Sequence, residues 1–385
     1  MGMQGSGSTN MKILYVGDST SIHDFRFIRK LVENGYDTNV LTIDKNPVKI
    51  EGAKYFTFSQ KLNEVSNRFI NDVKYVKYIY DQRNYIRKII KEIEPDILHG
   101  GWIPTHGFIS ALSGFHPFLL MPWGSDVLIY PDEVSFLSEK IIRYAIKKAD
   151  MIQCSSKIMK SRINDLYGYP KDKMVVFPWG IDLNKFNHLV GGNNIRAKLG
   201  WEDKTIIIMT RSFKPIYGVK YFLRSLPKLI KKNNNTRVLL CGDGPLKNDF
   251  ENYISENGFR EYVYFVGHVE NDELPKYLTA SDIYVSTSFS DSTSISLLEA
   301  MACGLPVVVT SIAGNEDWII DGYNGFFVPK EDHHQVYEKL SLLLNDNDLR
   351  EKFGIRNLEI ARDRADWNKN FGKLEEIYDK LLVRH

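Results

Sequence analysis

Two carboxylates, Asp291 and Glu299, flank the start of a short helical pattern. Asp291 lies in SFSDSTS, which is rich in helix-capping residues, whereas Glu299 lies in ISLLEAMAC, where almost every neighbour is apolar. A helix that is apolar on most sides is normally buried, and a buried carboxylate needs a partner that offsets its desolvation. Because carboxylates accept hydrogen bonds from hydroxyl groups, the two acids could hold a sugar at one end of a ligand and a ribose at the other. The alternative is that Asp291 caps the helix and Glu299 pairs with a core arginine or lysine.

The elements around this pair place it at the edge of a sheet. The stretch DIYVSTS reads as a strand before the helix, and PVVVT reads as the next strand after it. The helix therefore starts at the carboxyl end of a parallel strand, where α/β sheets bind ligands. We expect its first turn near Thr293, which would put Glu299 about 9 Å further along the axis. Backbone N–H groups at such a position bind phosphate, so a diphosphate is expected at Ser292, Thr293, Ser294 and Ile295.

The composition indicates a globular protein of two domains. The chain has 385 residues, of which 43% are hydrophobic and 25% are charged, and it is too long for one ordinary core. The net charge of +2 argues against nucleic acid as a default partner. The three cysteines stand singly and without metal-ligand spacing, which favours a reducing compartment and no bound metal. The sequence has no apolar run of about 18 residues, so we expect a cytoplasmic protein. Residues 1–10, MGMQGSGSTN, read as a flexible leader or an added segment.

Short apolar strands alternate with helical patterns along the whole chain, which predicts an α/β fold with parallel sheets. The predicted strands are MKILYVG, TNVLTI, DILHG, FLLMPW, DMIQCS and MVVFP in the first half, and KTIIIMT, RVLLCG, YVYFVG, DIYVSTS, PVVVT and GFFVP in the second. The Pro- and Gly-containing stretch FPWGIDLNKFNHLVGGNN reads as the connector. We therefore expect one domain over 11–186, joined by a C-terminal helix over 366–385, and a second domain over 187–365.

The acidic pair also resembles a motif of the retaining glycosyltransferases of family 4. Members carry two acids separated by seven residues and followed by a sequence similar to AMACGLPVVV, and this chain has Asp291 where the usual residue is Glu. The resemblance implies the GT-B fold, in which two Rossmann-like domains face a cleft and the C-terminal helix crosses back to the first domain. It also implies metal-independent transfer of a hexose-type sugar from a nucleotide diphosphate, such as UDP, to a glycan or lipid-linked acceptor. The first domain would bind the acceptor, the second the nucleotide-sugar donor, and no cofactor would be needed.

Further segments of the second half resemble the family's donor site. In MTRSFKPIYGVKYF, Arg211 matches the arginine that contacts the donor diphosphate, while Tyr217 stands at the usual lysine position and leaves Lys214 or Lys220 as substitutes. CGDGP resembles the turn beside the nucleotide, with Gly242 and Gly244, and FVGHV resembles the loop against which the base packs, with His268 and Val269. A strand followed by glycines is also a common turn, so each of these two segments has an ordinary structural reading.

In the first half, PWGSDVL resembles the family's His-Gly-x-Asp segment. The histidine is replaced by Trp123, whereas Asp126 matches and could orient donor or acceptor hydroxyls. The resemblance thus implies that Asp126, Arg211 and Asp291 act in catalysis. An Asp in a loop at a strand end is equally common as a turn residue. The family's Gly-Gly loop after the first strand is replaced by GDSTSIHDF.

A basic ridge of Lys140, Arg143 and Lys147 recurs at helical spacing in the first half of the chain. Its default interpretation is a solvated helix face. The alternative is that it attaches the first domain to anionic lipid headgroups at the inner face of a membrane, which would bring a lipid-linked acceptor within reach.

Three other functions stay open at the level of the residues. A nucleotide-sugar epimerase could use the same scaffold without an acceptor, and a non-catalytic nucleotide or sugar binder could use the same site. A dinucleotide-dependent oxidoreductase is the third, because Asp44 ends the second predicted strand, where a ribose-binding acid can lie. Against it, Gly17 stands alone after the first strand, and Gly242 and Gly244 are not followed by a third glycine.

Overall fold

The structure is a computed structural model that describes residues 11–44, 46–58, 68–129 and 136–384. The segment interpreted as a leader, residues 1–10, lies outside the described residues. The chain divides into two compact units: unit 1 comprises the described residues up to Phe177 together with those from Lys373 onwards, and unit 2 comprises Pro178–Gly372. The sequence placed the boundaries at 186/187 and 365/366, close to these positions.

Unit 1 is built on a seven-stranded parallel sheet in the order β3-β2-β1-β4-β5-β6-β7. Its strands are β1 Lys12–Val16, β2 Asp37–Thr42, β3 Lys54–Thr57, β4 Ile97–Gly100, β5 Phe118–Leu120, β6 Met151–Cys154 and β7 Met174–Val176. Its α-helices are Ile22–Glu33, Arg68–Ile93, Phe108–Ser113, Ser125–Leu128, Phe136–Lys148 and Lys157–Tyr167, with a π-helix at Ile103–Gly107 and a 3₁₀ turn at Lys171–Lys173. The central strands are buried on both faces and are mostly apolar, apart from His99 on β4 and Gln153 on β6, as expected where helices cover both sides of a parallel sheet.

Unit 2 has a six-stranded parallel sheet in the order β10-β9-β8-β11-β12-β13. Its strands are β8 Thr205–Met209, β9 Thr236–Cys241, β10 Val263–Gly267, β11 Ile283–Ser286, β12 Val307–Thr310 and β13 Gly325–Val328. Its α-helices are Asn193–Leu199, Val219–Lys232, Lys247–Glu256, Leu274–Thr279, Ile295–Ala302, Ala313–Glu316, His333–Asn345 and Asn347–Arg364, with a 3₁₀ turn at Pro215–Tyr217. One apolar cluster lies on each face of this sheet.

Both sheets reverse their strand order at one point, between β1 and β4 in unit 1 and between β8 and β11 in unit 2. At such a point the loops leaving the two neighbouring strands diverge to opposite faces of the sheet and leave a crevice at the carboxyl edge. In unit 2 the pairing of Ile283 with Ile207 and of Tyr284 with Ile208 brings the loops after Met209 and Ser286 to this crevice. The two halves of the chain thus repeat one Rossmann-like plan, and the α/β prediction is confirmed.

The C-terminal helix Trp367–Arg384 begins in unit 2, and its residues from Lys373 onwards belong to unit 1, as predicted. The Tyr378 hydroxyl lies 2.7 Å from Nδ1 of the buried His99 on β4, and Glu375 accepts a bond of 2.8 Å from the Asn34 side chain. No helix among the described residues is long and apolar enough to cross a membrane.

Unit 1 contains one strand that the sequence pattern did not reveal. Strand β3 is four residues long and lies at the edge of the sheet, where its side chains are only partly buried or exposed. A short edge strand of this kind lacks the continuous apolar run by which the central strands were recognised. The predicted strands are all present, with ends shifted by one to three residues.

Candidate functional site

The candidate site lies at the crevice of unit 2, where β8 and β11 end. Arg211 follows the last residue of β8 by two positions, and the loop from Thr287 to Ser294 joins β11 to the helix Ile295–Ala302, called the site helix below. Because the two strands are neighbours, the loops bring Arg211 and Asp291 together although they are far apart in sequence. Two of the three residues predicted to act in catalysis are therefore in direct contact.

Arg211 is 9% exposed and its guanidinium is held on several sides. Its Nη2 donates to Asp291 Oδ2 at 2.6 Å and to the Ser294 hydroxyl, and its Nε donates to the Ser286 hydroxyl at 3.2 Å. The Tyr217 ring lies 5.2 Å from the guanidinium carbon, within the range of a cation–π contact. Tyr217, which stands at the family's lysine position, thus packs against the remaining cation and does not supply a second one.

The contact between Arg211 and Asp291 is a charged pair in a buried place. Burial raises the pKa of the Asp291 carboxyl, and the guanidinium opposes that shift. Burial works against the charge of Arg211 as well, but the Asp291 carboxylate, with Tyr284 and Tyr217, outweighs it and raises the pKa of Arg211 above its usual value. Each partner therefore offsets part of the desolvation of the other.

The site helix starts two residues later than predicted. Its first residue is Ile295, and Ser294 is the N-cap, with an extended backbone and a hydroxyl that accepts the Leu297 N–H at 3.2 Å. The expectation that Thr293 opens the helix is wrong, because several residues of SDSTS could cap a helix and only Ser294 does. The N-cap uses the Leu297 N–H, which leaves those of Ile295 and Ser296 in the first turn, and Glu299 lies about 6 Å beyond Ile295 along the axis.

Glu299 is 6% exposed, within a helix whose residues from Leu297 to Ala302 are all buried. The predicted burial of this carboxylate is thus confirmed. Glu299 also lies near Cys303. Burial raises the pKa of the Cys303 thiol above its usual value, and the negative charge of Glu299 raises it further. Its contact with a ribose stays a prediction.

The turn CGDGP supports the loop that carries Arg211. A Cβ on Gly242 would lie 2.0 Å from the Arg211 carbonyl oxygen, so only glycine fits at this position. The Phe213 N–H donates to the Asp243 carbonyl at 2.8 Å and the Phe213 carbonyl accepts from Leu246 N–H at 3.1 Å. A Cβ on Gly244 would in turn lie 2.9 Å from the Phe213 backbone. Both predicted donor-binding glycines therefore position the Arg211 loop; direct contact with a nucleotide stays a prediction.

Gly314, which the sequence analysis did not single out, holds the opposite loop. A Cβ on Gly314 would lie 2.2 Å from the Asp291 carbonyl oxygen and 2.5 Å from that of Ser292, so the loop is pressed against the turn after β12. On its other side, the Thr287 hydroxyl donates to the Gly218 carbonyl at 2.9 Å. The signal in the sequence is the short SIAGN stretch after PVVVT, but its partner is identified only by the contact.

The two lysines proposed as substitute cations lie outside this network. Lys214 is exposed, and Lys220 is exposed with its Nζ 4.8 Å from the centre of the Tyr221 ring. Neither contributes to the bonds that surround Arg211. Arg211 is therefore the cation that the described residues place inside the crevice.

The residues of the FVGHV loop are placed differently from one another. The His268 side chain is 78% exposed and lies 3.5 Å from Glu270. Val269 is partly buried and packs against the apolar cluster that contains Cys241 and Leu278. The loop is thus anchored by Val269, while His268 points away from the core.

In unit 1, Asp126 is fully buried and is occupied by backbone groups. Its carboxylate accepts N–H bonds from Ile103 at 3.1 Å, from Trp123 at 3.0 Å and from Gly124 at 2.8 Å. Burial raises its pKa to about 6, against the opposing effect of these bonds. Asp126 therefore connects the segments that follow β4 and β5. A substrate hydroxyl that bound to Asp126 would have to share carboxylate oxygens that already accept backbone hydrogen bonds.

A second buried carboxylate in unit 1, Asp24, was not singled out from the sequence. Its Oδ1 accepts from the Tyr15 hydroxyl at 2.7 Å and its Oδ2 from the Asp18 N–H at 2.6 Å. Burial raises the pKa of Asp24 to about 7. It organises the GDSTSIHDF loop, and it was missed because an acid in the first turn of a helix is an ordinary feature.

Trp123, which replaces the family's histidine, lies near this loop. Its indole Nε1 is buried and has no hydrogen-bond partner among the described residues. A Cβ on Gly101 would lie 3.2 Å from this atom and 3.3 Å from Asp24 Oδ1, so both polar atoms border the same glycine.

Among the described residues, no group of three or more His, Cys, Asp or Glu side chains is placed to hold a metal ion.

Family models match both halves of the chain. The model described as "Glycosyl transferases group 1" matches residues 192–359, and the model described as "Glycosyl transferase 4-like" matches residues 12–156. The first match contains Arg211, Asp291 and Glu299, and together the two matches cover most of the chain. Residues 192–359 match the glycosyl transferases group 1 family and residues 12–156 a glycosyl transferase 4-like family, so this chain is a glycosyltransferase. This glycosyltransferase has the GT-B type of fold, with two Rossmann-like units.

Individual relatives of this glycosyltransferase agree with that assignment. An uncharacterized glycosyltransferase of Methanocaldococcus jannaschii is 24% identical over 84% of this chain and 88% of its own length. The GDP-mannose-dependent alpha-(1-6)-phosphatidylinositol monomannoside mannosyltransferase of Mycolicibacterium smegmatis is 24% identical over 66% of this chain and 67% of its own. The crystal structure of Anabaena HepE in complex with UDP superposes with a TM-score of 0.77 at 16% identity, over 96% of this chain and 100% of HepE. At this identity the last comparison shows the fold alone.

Proposed function

We propose that this glycosyltransferase moves a hexose-type sugar from a UDP-sugar to a hydroxyl of a glycan or lipid-linked glycan, with retention at the anomeric carbon. The observation that carries the proposal is the buried Arg211 at the crevice of unit 2, beside Asp291 and the start of the site helix. A planar guanidinium and the free N–H groups of a helix start both suit a diphosphate. Unit 2 would accordingly bind the donor and unit 1 the acceptor.

In this proposal the leaving nucleotide carries the charge that develops during transfer. The acceptor oxygen bonds to the anomeric carbon while the bond from that carbon to the β-phosphate oxygen breaks, and the acceptor proton passes to the leaving phosphate. Arg211 and the first-turn N–H groups of Ile295 and Ser296 would stabilise the negative charge that accumulates there. Asp291 would accept hydrogen bonds from the sugar, and Glu299 from the ribose. No metal and no cofactor is required for these steps.

The base and the acceptor are the finer parts of the proposal. UDP is favoured by the family resemblance, and HepE was solved with UDP, whereas the mycobacterial relative is named for GDP-mannose. That relative is also named for a phosphatidylinositol acceptor, which supports a lipid-linked acceptor and peripheral membrane attachment through the basic face of unit 1. On that face Arg143 already pairs with Glu139 at 2.6 Å and packs on the Tyr167 ring at 5.2 Å, so the exposed Lys147 would contribute most to the attachment.

The first experiment is a thermal-shift screen of UDP, GDP and ADP and of UDP-glucose, GDP-mannose and ADP-glucose. We expect a uridine compound to raise the melting temperature most, because binding to the folded state stabilises it. The Arg211→Ala variant should lose this shift, while Arg260→Ala, which removes an exposed arginine from the same unit, should keep it. If no compound of the panel stabilises the wild-type protein, the proposed donor class is wrong.

The second experiment concerns Glu299 and the metal. Glu299→Ala should weaken nucleotide binding about tenfold or more, since a buried ribose hydroxyl would lose its acceptor. Unchanged affinity would assign Glu299 a structural role.

Transfer should also proceed in EDTA, and loss of activity that a divalent metal restores would contradict the metal-independent mechanism. Detection of a glycosylated acceptor separates this enzyme from an epimerase and from a binding protein.

A further inference from the structure

Arg211 has an anionic partner inside the crevice. Its Nη2 is 2.6 Å from Asp291 Oδ2, and the Asp291 side chain is 16% exposed. A phosphate that approached the same guanidinium would meet the Asp291 carboxylate at close range. Two anions on one cation repel each other, so phosphate binding at Arg211 weakens the compensation of the buried Asp291 charge and favours a new partner for this carboxylate.

The loop gives Asp291 little freedom to withdraw. Its carbonyl oxygen is pressed against Gly314, and Thr287, four residues earlier in the same loop, is bonded to Gly218 on the other side. Asp291 also has the shorter of the two acidic side chains, so its carboxylate cannot swing far from its own backbone. It must exchange partners where it lies. The Ser288 side chain already hydrogen-bonds to this carboxylate, so a donor that takes the place of the guanidinium has to come from the ligand.

A nucleotide sugar and a nucleoside diphosphate differ in this respect. The sugar carries hydroxyl groups that can donate to Asp291 once the phosphate has taken the guanidinium. The nucleoside diphosphate that remains after transfer has no such hydroxyl next to its terminal phosphate, and that phosphate carries more negative charge. The same carboxylate therefore opposes the product more strongly than it opposes the donor.

We propose that Asp291 discriminates the sugar-bearing donor from the spent nucleoside diphosphate, by pairing with Arg211 whenever no sugar hydroxyl is present. Re-formation of the ion pair after transfer helps to expel the product nucleotide. This inference rests on the proposed function, because it presumes that the crevice holds a nucleotide diphosphate. It differs from a purely structural role for the pair, which would affect stability and leave the preference between donor and product unchanged.

The test is isothermal titration calorimetry on the wild-type protein and on Asp291→Asn, with UDP and UDP-glucose, GDP and GDP-mannose, and inorganic pyrophosphate. Asp291→Asn should bind the nucleoside diphosphate of the accepted base about tenfold more tightly, while the affinity for the nucleotide sugar stays unchanged or falls. Pyrophosphate should also bind more tightly. The affinity ratio of donor to product should therefore fall at least tenfold, and product inhibition should become stronger.

Matched variants make the result specific. Asp291→Glu keeps the carboxylate and should keep the wild-type ratio within about threefold, because an anion still competes for Arg211. Glu256→Gln removes an exposed carboxylate from the same unit and should change neither affinity. If Asp291→Asn does not fold, as judged by its melting transition, Asp291→Ser serves as the second variant. Equal changes for product and donor, or unchanged product affinity, would overturn the proposal.

The pyrophosphate measurement separates this inference from the proposed function. If the wild-type protein binds no nucleotide of the panel, the proposed function fails. Tighter pyrophosphate binding by Asp291→Asn would then still support competition for Arg211. If pyrophosphate binds both proteins equally or binds neither, the competition is refuted.

Discussion

Each unit has a crevice at the point where its strand order reverses, but the side chains at the two crevices differ in charge. In unit 2 the loops after β8 and β11 bring together a cation, Arg211, and a carboxylate that pairs with it. At the crevice of unit 1, Asp24 instead receives bonds from a tyrosine hydroxyl and a backbone N–H. The comparison teaches that the Rossmann-like plan supplies the place for a ligand, whereas the loop residues decide its charge. Unit 2 presents a guanidinium at its crevice, whereas the Asp24 carboxyl group in unit 1 already accepts hydrogen bonds from the protein.

The largest effect on activity is expected when the cation of unit 2 is removed. Arg211→Ala should lower kcat/KM by about a hundredfold to a thousandfold, because the leaving phosphate loses its preorganised charge partner. Steady-state kinetics on the product-forming reaction checks this, with Arg260→Ala as the exposed control. A loss of less than tenfold would mean that the anion-binding character of unit 2 does not depend on Arg211.

The next effect concerns the stability of unit 1. Asp126→Ala should lower the free energy of unfolding by about 3 kcal/mol or more, because the buried N–H groups of Ile103, Trp123 and Gly124 lose their acceptor. Urea unfolding measures this change, and the isosteric Asp126→Asn should cost less. If stability hardly changes while turnover is lost, Asp126 acts on a substrate, as the family resemblance implies.

A pH dependence distinguishes Asp24 from the charged pair of unit 2. Burial raises the pKa of Asp24 from its ordinary 3.8 to about 7, so the folded state binds this proton more tightly than the unfolded state does. The stability gained from that tighter binding is fully present below about pH 4 and is lost as the pH rises through 7. Asp24→Asn mimics the protonated carboxyl at every pH. The variant should therefore gain stability relative to the wild type between pH 5 and pH 8, by several degrees of melting temperature. An equal difference at both pH values would contradict the prediction.

The smallest effects come from the glycines. Gly242→Ala places a Cβ 2.0 Å from the Arg211 carbonyl oxygen, so the loop has to move; we expect a loss of about 1 to 3 kcal/mol in stability and weaker nucleotide binding. Gly372→Ala is the matched control, because a Cβ there meets nothing within 4 Å and the residue lies in a helix. That variant should be stabilised by up to about 1 kcal/mol. Similar losses in both variants would show that the Arg211 loop is not specifically supported by Gly242.

Much of the fold follows from local sequence pattern. Apolar strand runs and helical spacing predicted all but one of the strands, because a central parallel strand is apolar along its whole length. Strand β3 escaped since it is short and lies at an edge. The start of the site helix was missed by two residues, because a run of capping residues does not reveal which one adopts the extended backbone of an N-cap.

For the site, the sequence alone determined which residue types are available: an arginine after one strand, and two acids about a helix after another. Only the tertiary structure decided that Arg211 and Asp291 form a pair, that Tyr217 packs on the guanidinium, and that Gly242 and Gly314 press against the two loops. The physical reason is that most of these contacts join residues brought together by the pairing of β8 with β9 and β11, and of β11 with β12. Local pattern carries the propensity of a segment, but charge pairing and close backbone approach depend on neighbours that lie far away in the chain.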